Sequence, residues 1–400
     1  MAASVRIGTV LGIPIHLHFT FLIILPLFAF AFAVGTGSML GFALGFGDLD
    51  AGWVEKYAFG IIGAVVFFAT ILAHELAHSY VAIRYGVRIK SITLMLFGGV
   101  ASLEEIPRKP RQELVMAFAG PLTSLGIGGA SYAAMLLMDL GPSDSVLFEG
   151  TALLLGLMAF YNILLAGFNL LPAFPMDGGR MLRSYLATRM SHLEATRKAA
   201  RAGRYIAIAM GVFGIFTFQI FLILIAFFVY TGAQEEERAT VITDSLEGLS
   251  VRQIMTDAVQ VVHPETTMQQ LLDLMFSTHH MGFPVVDLGV VGVVTLTDAQ
   301  KVPKESVPFT KVGDIMTRDV VSVPPEMDAA QALMLMTGRN IGRLLVVDRG
   351  KLVGIVTKKD FLRAVDIMLA RRRGTAWQYQ RPPGQVPPPP PPPSPPAAYG

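Results

Sequence analysis

Long stretches without any Asp, Glu, Lys or Arg constrain this chain more than any other feature. Such residues are missing between Ile7 and Gly47, Tyr57 and Ala73, Leu114 and Met138, Gly150 and Met176, and Tyr205 and Gln234. Each stretch is near or above the roughly 20 apolar residues with which a helix crosses a bilayer. Composition agrees: 52% of the 400 residues are hydrophobic and 16% charged, with a mean hydropathy of +0.53, too few charges to coat a soluble globule of this length. The chain therefore reads as a polytopic α-helical membrane protein of the cell membrane, with the lipid bilayer as its solvent. Its first apolar stretch is too long for a signal peptide and lacks a clear small-residue cleavage site, so it reads as a retained anchor.

Charge and cysteine content narrow the function classes. A formal charge of +2, from 32 basic against 30 acidic side chains, argues against nucleic acid as a partner. With no cysteine, any bound metal must be held by His, Asp or Glu.

The run Glu235, Glu236, Glu237, Arg238 closes the membrane part, and a duplication follows. Ile254, Met255 and Thr256 recur as Ile315, Met316 and Thr317, and Val285, Val286 and Asp287 as Val346, Val347 and Asp348. Gly292, Thr295 and Asp298 recur as Gly354, Thr357 and Asp360, so the offset is 61 residues and becomes 62 after a one-residue insertion. This is a tandem soluble α/β unit. The expected organisation is a membrane domain over 1–235, a linker over 236–249, repeats over 250–309 and 310–372, and a proline-rich disordered tail over 373–400. Met255, Met316, Met334 and Met336 fit core packing of the repeats.

Basic residues orient the spans. Arg84, Arg88, Lys90, Arg108, Lys109 and Arg111 cluster in one connection, and Arg180, Arg183, Arg189, Arg197, Lys198, Arg201 and Arg204 in another, whereas 48–56 and 139–149 are mainly acidic. The positive-inside rule makes both basic segments cytoplasmic. The stretch Tyr205 to Gln234 is long for one helix and short for two. A hairpin turning near Thr217 to Gln219 gives about six spans and leaves the repeat domain in the cytoplasm, whereas a single span would export it.

Chemistry concentrates at His74-Glu75-Leu76-Ala77-His78. Two imidazoles four residues apart on a helix can bind one metal while the intervening carboxylate projects beside it, the arrangement a zinc hydrolase needs. Seventeen uncharged residues precede the motif. A charged residue at mid-helix in such a segment costs on the order of 2.5 to 3.5 kcal/mol on insertion scales, which weighs against a purely structural role. Catalytic zinc usually takes a third protein ligand. Asp177 stands alone at the end of a span, within Asn169-Leu170-Leu171-Pro172-Ala173-Phe174-Pro175-Met176-Asp177-Gly178-Gly179-Arg180, whose prolines and glycines would interrupt a helix. Both candidate sites fall a little below the cytoplasmic surface. His16 and His18 read as interfacial polar residues.

On these two motifs, residues 1 to 235 resemble the site-2 proteases, which are intramembrane zinc metalloproteases. The resemblance implies one zinc per chain held by His74, His78 and Asp177, with Glu75 as general base and Asn169 holding substrate or transition state. Ala119-Gly120-Pro121 is a further recurring family element, and Gly98-Gly99 falls in a β-rich segment that in the family dips toward the membrane and pairs with an unwound substrate. The repeat resembles a pair of CBS domains. In that family the Thr and Asp of the loops, here Thr295, Asp298, Thr357 and Asp360, contact an adenine nucleotide, and paired modules form homodimers.

The resulting expectation is regulated intramembrane proteolysis, in which a transmembrane or membrane-proximal segment of a protein substrate is cut and adenine nucleotide modulates the rate. The alternative is a CBS-regulated transporter or channel with a metal site. The scarcity of other ionisable residues in the spans counts against a conduction path. An inactive scaffold would require an incomplete motif, and here each expected residue is present.

Overall fold

The computed structural model describes residues 4–95, 98–103, 109–138 and 145–372, so the proline-rich segment lies outside the described residues. The chain divides into two compact units, Met1–Val241 and Ile242–Gly400.

The first unit opens with a hairpin, β1 (Ser4–Val10) and β2 (Ile13–His18), before the first helix, α1 (Phe21–Val34). The charge-free stretch from Ile7 is thus not one continuous span: Leu11 and Gly12 turn with positive φ, and alternation puts Ile13 and Ile15 on one buried face. α1 is about 21 Å long at 1.5 Å per residue. A short ribbon, β3 (Ser38–Met39) with β4 (Phe42–Ala43), leads to α2 (Trp53–Arg84). β5 (Ile89–Met95) then pairs parallel with β2 and antiparallel with β6 (Gly98–Leu103), in the order β1-β2-β5-β6, so β6 is an edge strand. The remaining helices of this unit are α3 (Pro110–Met138), α4 (Val146–Asn169), α5 (Asp177–Ala187) and α6 (His192–Phe216), and α7 (Ile220–Leu246) crosses the boundary.

Among the described residues, α2, α3, α4 and α6 are long and apolar enough to span a membrane. The turn Thr217–Gln219 reverses the chain between α6 and α7, and Ile223 packs so closely on Gly214 that a Cβ there would meet its side chain at 2.9 Å. α1 and α2 approach through small residues: Ala29, Ala33 and Ala64 are buried, and a Cβ on Gly60 would strike the Ala29 carbonyl. With no hydrophobic drive between helices in lipid, this close fit is what holds them. Phe21, Phe32, Phe67 and Phe68 fill the adjoining core with Leu157 and Met158 of α4.

In the second unit the first repeat comprises α8 (Val251–Ile254), α9 (Met268–Thr278), β7 (Gly282–Val286), β8 (Val290–Thr295) and α10 (Leu296–Ala299). The second comprises α11 (Val312–Ile315), β9 (Ser322–Val323), α12 (Ala329–Gly338), β10 (Arg343–Asp348), β11 (Lys351–Thr357) and α13 (Lys358–Arg372). Each repeat completes the other. Thr256 exchanges backbone hydrogen bonds with Ile355, and Thr317 with Val293. Met255 and Met316 fill the space left by Gly354 and Gly292 of the opposite repeat, where a Cβ would sit 2.5 Å and 2.7 Å from sulfur. Met336 is buried, whereas Met334 is exposed and not a core residue, because α12 turns it to the outer face.

Candidate metal centre

α2 is held between the sheet and α3. On one side Leu72 and Leu76 pack on Ile13, Ile15 and Ile92. His74 and His78 share another side, four residues apart, and α3 lies over their rings. Gly120 makes that approach feasible: a Cβ there would fall inside contact distance of Nε2 of both imidazoles.

α3 also orients the rings. His78 Nδ1 lies 2.7 Å from the Met116 carbonyl oxygen. A carbonyl only accepts, so Nδ1 carries the proton and a neutral His78 has its lone pair on Nε2. His74 Nδ1 is 2.9 Å from Ser124 Oγ, a contact that orients the second ring.

Asp177 is the first residue of α5, where the helix dipole favours a carboxylate. Its position depends on the two following glycines. A Cβ on Gly178 would strike the Leu171 carbonyl, and one on Gly179 would lie 2.6 Å from the Phe174 amide nitrogen. The loop from Leu170 thereby folds back on α5 and brings the carboxylate to the two histidines.

Three donor atoms converge on one point. Asp177 Oδ2 is 3.2 Å from His74 Nε2 and 3.1 Å from His78 Nε2, and the two Nε2 atoms are 3.2 Å apart. A tetrahedral ion with bonds of about 2.0 Å needs donors separated by roughly 3.3 Å. With Nδ1 of His78 protonated, its Nε2 lone pair faces the Asp177 carboxylate, an arrangement that a cation between them would stabilise. The residues present therefore fit a zinc ion, and the space left by Gly120 keeps the approach clear.

Glu75, half-buried, lines a cavity of about 890 Å³ together with His74, His78, Asp177, Asn169 and Arg180. Its walls include Phe28, Phe67, Phe68, Phe168 and Phe228. Asn169 Nδ2 donates to the Leu165 carbonyl at 3.0 Å. His18, read from the sequence as interfacial, also lines this cavity, with Nδ1 2.9 Å from Thr20 Oγ1. Ser124 and the Met116 carbonyl are the participants that sequence reasoning did not find.

In the second unit the repeated Thr and Asp residues bond to each other. Thr295 Oγ1 donates to Asp298 Oδ2 at 2.6 Å, and Thr357 Oγ1 to Asp360 Oδ2 at 2.7 Å. These pairs stand at the starts of α10 and α13, where they cap the helices. Asp298 also lines a pocket of about 420 Å³ with Lys301, Ser306, Thr310 and Asp314. The Arg343 pKa is lowered by burial, partly offset by the Asp298 carboxylate, and the guanidinium stays charged.

Comparison with known proteins places the chain in a family. The sequence model of peptidase family M50 matches residues 62–147 and 138–214, and that of the CBS domain matches 251–305 and 312–367. A zinc metalloprotease of Methanocaldococcus jannaschii is 38% identical over 305 residues, 76% of this chain and 85% of that protein. The chain belongs to peptidase family M50. Rip3 of Mycobacterium tuberculosis is 33% identical over 330 residues, 78% of this chain and 82% of its own length. The solved site-2 protease from Methanocaldococcus jannaschii aligns at 35% identity over 59% of this chain and 95% of that one, with a TM-score of 0.40. This M50 peptidase is a zinc metalloprotease by its sequence relatives, a membrane protein carrying a CBS pair.

Proposed function

We propose that His74, His78 and Asp177 hold one zinc per chain, that Glu75 is the general base, and that the enzyme cuts a transmembrane or membrane-proximal helix of protein substrates. The carrying observation is the triangle of donor atoms with edges of 3.1 to 3.2 Å. Bound zinc supplies Lewis-acid chemistry, polarising a peptide carbonyl and acidifying water. Glu75 takes a proton from the attacking water and returns it to the leaving amine. Asn169 offers its amide to the substrate backbone from the same cavity wall. A helical substrate hides its carbonyls in its own hydrogen bonds and must unwind first, and the outer edge of β6, unpaired among the described residues, suits an extended segment. The aromatic walls suit an apolar one.

The basic clusters and the reversal at Thr217–Gln219 support a cytoplasmic CBS pair. Its pocket beside Asp298, with Lys301 and Arg343 nearby, supports an adenine nucleotide as modulator, through Thr295, Asp298, Thr357 and Asp360, and the pair supports a homodimer. Metal analysis of purified protein tests the centre. About one zinc per chain is expected in the wild type and in Glu75→Gln, with proteolysis lost in the latter. His74→Ala and His78→Ala should be empty. Full occupancy in the doubly substituted protein would overturn the assignment.

A further inference from the structure

Arg183 is buried to 3% exposure beside Glu113 at 2%, and neither side chain lines the cavity. Its Nε donates to Glu113 Oε1 at 2.9 Å, Nη2 donates to the same oxygen, and Nη1 donates to Glu236 Oε1 at 2.6 Å. The guanidinium also covers the Phe174 ring at 5.0 Å from its centroid. Four segments meet at one side chain: α3, α5, α7 and the loop preceding Asp177.

Two of those connections lead to the donor triangle. On α3, Glu113 begins a buried stripe that continues through Met116, Gly120 and Ser124 at steps of three, four and four residues, one helix face. The later members are those that meet His78 and His74. On α5, Arg183 lies six residues after Asp177 in the same short helix, and Phe174 lies three residues before it. Resting on the ligand reading above, we infer that Arg183 is a positioning residue: its fork locks the register of α5 on α3 and so sets Asp177 Oδ2 against the two imidazoles. A slip of one residue along a helix moves a side chain by about 1.5 Å, roughly half an edge of the triangle. Charge neutralisation alone would be satisfied by lysine. Register requires the planar fork, which contacts both glutamates and stacks on Phe174 at once.

The test is zinc release to a chromogenic chelator from purified full-length protein in detergent, for wild type, Arg183→Lys, Glu236→Gln and His74→Ala. Arg183→Lys should release zinc about tenfold faster, the scale on which outer contacts of metal ligands act. Excess zinc should restore its proteolysis, and its zinc-free form should melt with zinc-free wild type. Glu236→Gln removes only the more exposed limb and should show a smaller acceleration. Unchanged release from Arg183→Lys overturns the inference, as does proteolysis that excess zinc does not restore. If Arg183→Lys does not fold, unchanged release from Glu236→Gln overturns it instead. Retention of zinc by His74→Ala would refute the ligand assignment itself, a result independent of Arg183.

Discussion

Gly120 faces His78 across a gap that admits no side chain, because a Cβ there would overlap Nε2, the atom aimed at Asp177. The same Cβ would crowd Nε2 of His74. Gly120→Ala should therefore fold with its helices intact and lose its zinc, from about one per chain to near none. Elemental analysis with circular dichroism on the same sample checks this.

Ser124 should matter to the metal more than to the fold. Its hydroxyl is 2.9 Å from His74 Nδ1. Ser124→Ala should lower zinc affinity by about 10- to 100-fold, read by competition with a chelator of known affinity. Unchanged affinity would mean that His74 is oriented by packing alone.

The histidines and the aspartate were legible in the sequence because their signal is local: a four-residue spacing on a helix, and one carboxylate where an apolar span breaks. Ser124 and Met116 were not, since they reach His74 and His78 from 50 and 38 residues away and depend on how α3 crosses α2. Gly120 belongs to a recurring family element in the sequence, but the reason for it lies in that crossing.

Apolarity alone also blurred elements. The first charge-free stretch holds a hairpin as well as a helix, and only the alternation at Ile13 and Ile15 distinguishes them. The run Glu235 to Arg238 reads as the end of a membrane domain, yet α7 continues to Leu246. The reason is pairing: Glu236 meets Arg183, and Glu237 meets Arg204 at 2.7 Å, so these charges need no loop to reach water.

Topology is testable by labelling, because the native chain has no cysteine. An impermeant thiol reagent added outside intact cells should modify Asp50→Cys and spare Glu247→Cys. Modification of the latter from outside would place the CBS pair on the opposite side.

Nucleotide should bind the full-length enzyme in nanodiscs and change its cleavage rate. Asp298→Ala and Asp360→Ala should each weaken binding by roughly tenfold or more, the scale of a hydrogen bond to a charged group. A ligand shifts activity only by binding the competent and incompetent states unequally. Binding with an unchanged rate would make the pair a docking or dimerisation module.

If Glu75 performs proteolysis within the membrane, the membrane proteomes of cells carrying wild-type protein or Glu75→Gln must differ. Single-span proteins should accumulate uncut in Glu75→Gln and their cut fragments disappear, while the variant enzyme keeps its zinc. Identical fragment sets in the two strains, with both proteins present and zinc-loaded, would contradict it.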